Sequence, residues 1–361
     1  MLEARIRKTF APKPDSPGFS LDVSFQAGAG VTVLFGPSGA GKTLILDSIA
    51  GFLKPDEGRA MLDGSILFDG QSGLHLSPQK RNCGYVFQNY ALFPHMTLRA
   101  NLAFAAERRP RLERHRRVNE MLEQFRLSDV AGRRPHHVSG GQRQRCSIAR
   151  ALIGAPKLLL LDEPANGLDA PLRAELYEML RRVRDEFKTP MLLVTHDLGE
   201  CFELGEQMLV LRDGKIVQSG TPREILNQPA NLEVARLLGA FDLLDAEIRI
   251  LDPGRKSSRL QVGDYALEGP YFPGHLKGDR VTLCVRPEQV RVMERLGRPG
   301  PNQIPVELLR VVERPHGVRL EFSSQIHGSV IRATLAREIF EDLRQAHEWM
   351  VEIPAEAMRA L

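Results

Sequence analysis

The segment Gly36-Pro37-Ser38-Gly39-Ala40-Gly41-Lys42-Thr43 constrains the fold of this chain more than any other stretch. Ahead of it runs the apolar Val31-Thr32-Val33-Leu34-Phe35, and behind it the helical pattern Leu44-Ile45-Leu46-Asp47-Ser48-Ile49-Ala50. Glycine lets the backbone turn its N–H groups toward one point, and a helix starting there adds its positive end. A strand, a G-x-x-x-x-G-K-T loop and a helix in that order therefore predict a phosphate cradle. Gly36, Pro37, Ser38, Gly39, Ala40 and Gly41 would wrap the phosphates of a nucleotide. Lys42 would reach the β- and γ-phosphates, and Thr43 would hold Mg²⁺.

A second strand supplies the carboxylates such a cradle requires. Lys157-Leu158-Leu159-Leu160-Leu161-Asp162-Glu163-Pro164 reads as a strand buried on both faces that ends in two acids. At the carboxyl end of a parallel strand these face the ligand crevice, Asp162 toward Mg²⁺ and Glu163 as general base on the attacking water. Similar unbroken apolar runs at Gly84 to Phe87, Met191 to Val194 and Met208 to Leu211 predict an α/β fold with a parallel sheet. Asp213-Gly214 after the last run predicts a hairpin into Ile216-Val217.

Three further stretches make the chain resemble the ATP-binding cassette family. Val138-Ser139-Gly140-Gly141-Gln142-Arg143-Gln144-Arg145, followed by a helical pattern, is similar to that family's signature motif, with Val138 where leucine is usual. Physically it is a second anion site at a helix start. The resemblance explains why a chain has two: two cassettes pack head to tail, and Ser139, Gly140, Gly141 and Gln142 cap the ATP of the partner subunit. Gln88 matches the family's glutamine that senses Mg²⁺ and water and faces the membrane partner. His196, after Val194-Thr195, matches its histidine that contacts the γ-phosphate. Asn166-Gly167-Leu168-Asp169 resembles the loop at the dimer interface, Asp169 its acid and Asn166 standing where serine is usual. An aromatic ring should stack on adenine, with Phe10 and Phe19 as the candidates.

The resemblance spans Met1 to about Leu238 and implies a RecA-like core with a helical subdomain over roughly 89–155. At roughly 150 residues per domain, 361 residues leave room for a second one. Helical periodicity resumes at Thr221-Pro222 and runs to about Leu238. Strand-like segments then follow, at Arg280 to Val285, Pro305 to Val312, Gly317 to Phe322 and Gly328 to Ala333. One helix, Ala336 to Ala346, presents Ile339, Phe340 and Leu343 on one face. We expect a linker and first strands over 239–296, a connection at Leu296 to Pro301, and a small β-barrel over 297–361, which the resemblance makes Mop/TOBE-like and of OB type.

No run reaches the 18 to 20 apolar residues of a membrane helix, and the start carries no signal-peptide pattern. The four cysteines form no C-x-x-C pair, which fits free thiols in a reducing compartment. Cytoplasmic work beside a membrane is expected. The net charge of +4 is too small for a nucleic-acid signature, although twelve Arg face five acids between Glu107 and Arg150. A solvated helical face explains these without nucleic acid. The resemblance implies an importer ATPase subunit, a homodimer on permease subunits at the inner membrane, served indirectly by a periplasmic binding protein. Leu92 to Thr97 and Arg286-Pro287-Glu288 are shared with several importers, and the overall pattern is most similar to molybdate importers. Sulfate, ferric iron, polyamine or sugar are the alternatives. The barrel is read first as a dimerisation or regulatory element, and molybdate at the C-terminal domain is a further partner, with Thr334 beside the Ala336 helix start as the candidate donor. Gly300-Pro301-Asn302-Gln303 lacks the hydroxyls of binding versions of that domain.

Overall fold

The structure, a computed structural model, describes residues 1–12, 17–107, 110–295, 298–314, 317–324, 330–344, 346 and 348–361. Arg108 and Arg109 of the basic stretch, Leu296 and Gly297 of the expected connection, Gly328 of the expected strand and Gln345 of the expected helix lie outside them. The chain divides into two units, Met1–Gln228 and Pro229–Leu361. The division falls between Gln228 and Pro229 rather than after Leu238. The helical pattern there is two helices, Pro222–Asn227 and Leu232–Leu238, because Pro229 interrupts the run between them.

In the first unit the strands Val31–Phe35, Met191–Thr195, Leu158–Asp162 and Cys83–Val86 lie side by side in that order, all parallel. Gln207–Arg212 flanks Val31–Phe35 on the other side, also parallel, and turns back as the antiparallel Lys215–Gly220. Asp213 and Gly214 carry the positive φ values, 46° and 76°, that the expected hairpin needs. Leu158, Leu159, Leu160 and Leu161 are fully buried. Each contributes roughly 1.5–3 kcal/mol of transfer free energy, which is why the run reads as continuous rather than alternating. Because the strands are parallel, Phe35, Asp162, Thr195 and Val86 all point their following loops to one edge of the sheet.

Two additions complete this unit. An antiparallel sheet of Phe19–Ala27, Leu2–Phe10, Glu57–Leu62, Ser65–Asp69 and Leu74–His75 shares a core with the helix Lys42–Ala50 through Ile6, Leu21, Ile45 and Ile49. Between Cys83–Val86 and Leu158–Asp162 the chain inserts the helices Leu98–Ala105, Arg111–Gln124 and Gly140–Leu152.

The second unit is strand-rich: its strands form two five-stranded antiparallel sheets, the first strand being Asp242–Asp252, within the stretch expected to hold a linker and first strands. Both sheets bury side chains in one hydrophobic cluster that includes Ile248, Leu260, Leu283, Leu320, Phe322 and Val351. The last strand, Arg359–Ala360, returns to pair with Arg280–Val285 of the first sheet. The expected helix is Arg337–Leu343, and only part of its predicted face is inward: Phe340 and Leu343 pack on the core while Ile339 is 49% exposed. Thr334 lies in the strand Val330–Leu335, opposite Arg319, and the helix is capped by Ala336 without any side-chain bond. Among the described residues no helix is long and apolar enough to cross a membrane.

Candidate functional site

The loop after Val31–Phe35 is held tightly by backbone geometry. A side chain at Gly36 would place its Cβ 2.3 Å from the Leu211 carbonyl oxygen, so only glycine lets the chain turn there. Gly41 adopts φ 99° and starts the helix Lys42–Ala50. Lys42 is 5% exposed, and its Nζ donates to the carbonyls of Gly36 and Pro37 at 2.8 and 2.9 Å. Burial lowers the ammonium's pKa, and the charges of Glu163 and Asp162 work against that lowering.

Opposite the loop, Thr43 Oγ1 donates to Asp162 Oδ1 at 3.2 Å. Burial raises the Asp162 pKa, and the Thr43 hydrogen bond opposes it. Tyr85, from the next strand, donates to Asp47 Oδ1 at 3.1 Å on the same helix, and burial together with both acids drives its phenol pKa upward. Glu163 follows directly with φ 45°, a left-handed value strained for a non-glycine residue. Its Oε2 accepts from Asn166 Nδ2 at 3.0 Å, and its Oε1 lies 3.4 Å from His196 Nδ1. Sequence reasoning placed Asn166 in the loop at the dimer interface, where serine is usual, and assigned it no bond to Glu163; a polar side chain four residues beyond the strand end was the further signal.

Of these groups, Lys42, Thr43, Glu163, Asn166 and His196 share one cleft of about 740 Å³, while Asp162 stands behind Thr43 and does not line it. Ser38, Gly39, Gly41, Lys42 and Thr43 line one wall, and Gln88, Glu163, Asn166 and His196 another. Phe10 and Phe19 both border it. They are cross-strand partners, Phe19 close against Gly41 and Phe10 36% exposed under the ammonium of Lys8. Either ring can meet a base at the mouth. Gly36, Pro37 and Ala40 form the backbone of the loop without lining the cleft.

Ser139, Gly140, Gly141 and Gln142 are not among the residues lining it. Ser139 caps the helix Gly140–Leu152 with a reciprocal box: Gln142 N–H donates to Ser139 Oγ at 3.3 Å, and Ser139 N–H donates to Gln142 Oε1 at 3.0 Å. Asp169 caps the helix Ala170–Phe187 by a single bond, accepting from Leu172 N–H at 3.0 Å. Several arginines of the basic stretch serve carbonyls rather than solvent. Arg150 donates to Ala91 and Tyr90, and Arg143 to Val138.

Among the described residues no three His, Cys, Asp or Glu side chains cluster as a metal site. A divalent ion shared with nucleotide phosphates does not require one, because Mg²⁺ keeps waters and takes few protein oxygens. Thr43 Oγ1 and Asp162 Oδ1, hard oxygens 3.2 Å apart beside the phosphate loop, fit that ion.

A family model described as ABC transporter matches residues 20–166. The spermidine/putrescine import ATP-binding protein PotA of Oleidesulfovibrio alaskensis is 40% identical over 280 residues, 76% of this chain and 72% of that protein. The molybdenum import ATP-binding protein ModC of Rhodospirillum rubrum is 42% identical over 209 residues, 58% of this chain and 56% of that one. Among solved structures, the dimeric post-hydrolysis state of the ATP-binding cassette MJ0796 bound to ADP and Pi matches with a TM-score of 0.53 and 27% identity, over 62% of this chain and 99% of the other.

Proposed function

The chain belongs to the ATP-binding proteins of ABC transporters, which are ATP-hydrolysing transport ATPases, and from that membership we propose how its own residues bind and hydrolyse ATP to drive solute import. Lys42 and the N–H groups of Ser38, Gly39 and Gly41 hold the phosphates, and Phe10 or Phe19 stacks on adenine. Thr43, Asp162 and Gln88 would hold Mg²⁺, which supplies neutralisation of phosphate charge when bound. Glu163 takes a proton from the attacking water, and His196 fixes the γ-phosphate and the outer oxygen of Glu163.

Ser139, Gly140, Gly141 and Gln142 close the site of a second copy of the chain, with Asp169 at the interface. That they stand outside their own chain's cleft supports this reading. The homodimer sits on permease subunits at the cytoplasmic face of the inner membrane as a peripheral subunit, and the periplasmic binding protein acts on it indirectly. The second unit is read as a regulatory Mop/TOBE-like domain of OB type, because its two sheets enclose a single core.

For the cargo, a polyamine is the reading the relatives favour. Spermidine/putrescine import proteins are the most frequent among the relatives, and the 280 residues aligned with one of them exceed the first unit, Met1–Gln228. Alignments of 242 residues with a molybdenum import protein and 340 with a sulfate/thiosulfate import protein do the same, so reach alone does not separate the cargoes. Molybdate, toward which the sequence pattern points, is the second reading, supported by the 42% identity with the ModC protein. Stimulation of hydrolysis in the reconstituted transporter by binding protein loaded with spermidine, and not by one loaded with molybdate, separates the two.

The observation that carries the hydrolytic reading is the carboxylate of Glu163 in the cleft of the phosphate-loop lysine, with His196 on one oxygen. Glu163→Gln is expected to keep ATP affinity while lowering steady-state hydrolysis by about a hundredfold or more, and to accumulate a closed ATP-bound dimer on size exclusion. Unchanged hydrolysis would remove Glu163 as the base.

A further inference from the structure

A glutamate has three side-chain torsions, so the strained backbone of Glu163 does not by itself aim the carboxylate. Its amide is pinned by the Val194 carbonyl at 3.1 Å, but the direction of the oxygens depends on what meets them. One contact is His196, a single approach of 3.4 Å from its Nδ1 to Oε1. The other is Asn166, which lies in a closed turn: its own N–H donates to the Glu163 carbonyl at 3.1 Å while its Nδ2 donates to Oε2 at 3.0 Å. Main chain and side chain of one residue thus hold both ends of Glu163.

The turn is itself anchored. The Arg173 guanidinium donates through Nη2 to the Leu168 carbonyl at 3.3 Å, just beyond Asn166, and through Nη1 to Asp197 Oδ2 at 3.1 Å, just beyond His196. Asp197 is fixed in turn by the Gly199 N–H at 2.7 Å. One planar donor therefore joins the loop that carries Asn166 to the loop that carries His196.

We propose that Asn166 is a positioning residue for hydrolysis, aiming the Glu163 carboxylate, with Arg173 holding the two loops in register. The inference rests on the reading of Glu163 as the base. Asn166 is neutral at all relevant pH and transfers no proton, so its contribution is orientation. A misaimed base lowers the chemical rate and leaves nucleotide affinity alone.

The test measures kcat and KM for ATP, nucleotide affinity and single-turnover rates on the full chain. Asn166→Leu, close in volume but without the donor, is expected to lower kcat about tenfold with KM within about twofold. Asn166→Ser, which keeps a short donor, recovers part of the loss, and Arg173→Lys, which can serve one loop but not both, falls between wild type and Asn166→Leu. In a Glu163→Gln background Asn166→Leu changes the residual single-turnover rate by less than about twofold, because the group it aims is gone. An unchanged kcat in Asn166→Leu, a full further loss on top of Glu163→Gln, or a parallel fall in ATP affinity and melting temperature overturns the positioning role. If Glu163→Gln alone leaves hydrolysis intact, the reading of the base fails instead, and the two failures are distinct.

Discussion

Arg81 is 1% exposed, yet it belongs to no catalytic group. Its Nη1 donates to the carbonyls of Ser48 and Ile49 at 2.6 and 2.8 Å, and its Nε to Leu76 at 2.8 Å. Those first two carbonyls close the helix that begins at the phosphate loop, so a buried cation caps the negative end of the helix whose positive end faces the phosphates. Arg81→Met is expected to cost about 3 kcal/mol in denaturant unfolding, because three charge-assisted bonds vanish and leave buried carbonyls. Glu200 is the opposite case. It is 2% exposed, its Oε1 has no partner, and burial first, then the nearby Asp197 and Glu163, push its pKa up to about 7. The folded chain therefore binds this proton more tightly than the unfolded one. The group's stability is fully present below its unfolded value near 4.5 and is lost as pH rises through about 7. Glu200→Gln should raise stability by roughly 2 kcal/mol at pH 8 and by almost nothing near pH 4.5, seen in melts at both values. Neither residue is legible from sequence, where a lone Arg or Glu on a polar stretch reads as solvated. Asp162, Glu163 and His196 are legible, because each stands at the end of an apolar strand where an α/β fold puts its chemistry, and Lys42 because the G-x-x-x-x-G-K-T loop names it.

At the scale of elements, the parallel sheet follows from unbroken apolar runs, while the second unit depends on pairings the chain does not announce. Arg280–Val285 pairs with Arg359–Ala360, which are far away in sequence, and no local pattern in either strand selects the other. The two sheets are also joined by an ion pair that periodicity does not reveal. Asp242, 3% exposed at the start of Asp242–Asp252, accepts from the Arg332 backbone N–H at 2.6 Å and from its guanidinium, which also donates to the Phe241 carbonyl at 2.9 Å. Burial raises the Asp242 pKa, and the hydrogen bonds from Arg332 oppose that rise. Arg332→Ala is expected to destabilise the second unit by about 3–5 kcal/mol, since it leaves a buried carboxylate without its cation. A double change to apolar residues of similar volume should recover much of the loss, and chemical denaturation of the single and double variants checks both. Asn302, directly after the expected connection and in the stretch that lacks hydroxyls, has a structural task. Asn302 Oδ1 accepts from the Glu268 N–H and its Nδ2 donates to the Glu268 carbonyl, so it fastens one sheet to the other.

At the scale of the whole molecule, the arrangement of the two anion sites decides how many chains make one working unit. The phosphate loop lines the cleft with Glu163 and His196, whereas the Ser139 cap and its helix do not. If Ser139 serves a second copy, each working site combines the phosphate loop of one chain with the cap of another. Lys42→Ala and Ser139→Arg then each leave a homodimer with no intact site. A heterodimer of the two places both defects in one site and leaves the other, built from the Ser139→Arg chain's loop and the Lys42→Ala chain's cap, whole. Random mixing gives about half heterodimers, each with one good site of two, so an equimolar mixture of the inactive variants should regain up to about a quarter of wild-type hydrolysis. A cap that worked within its own chain would give no regain, since every chain in the mixture would carry a broken site. Phosphate release from mixed, refolded variants at rising protein concentration separates these outcomes, because regain through a dimer grows with concentration until association saturates.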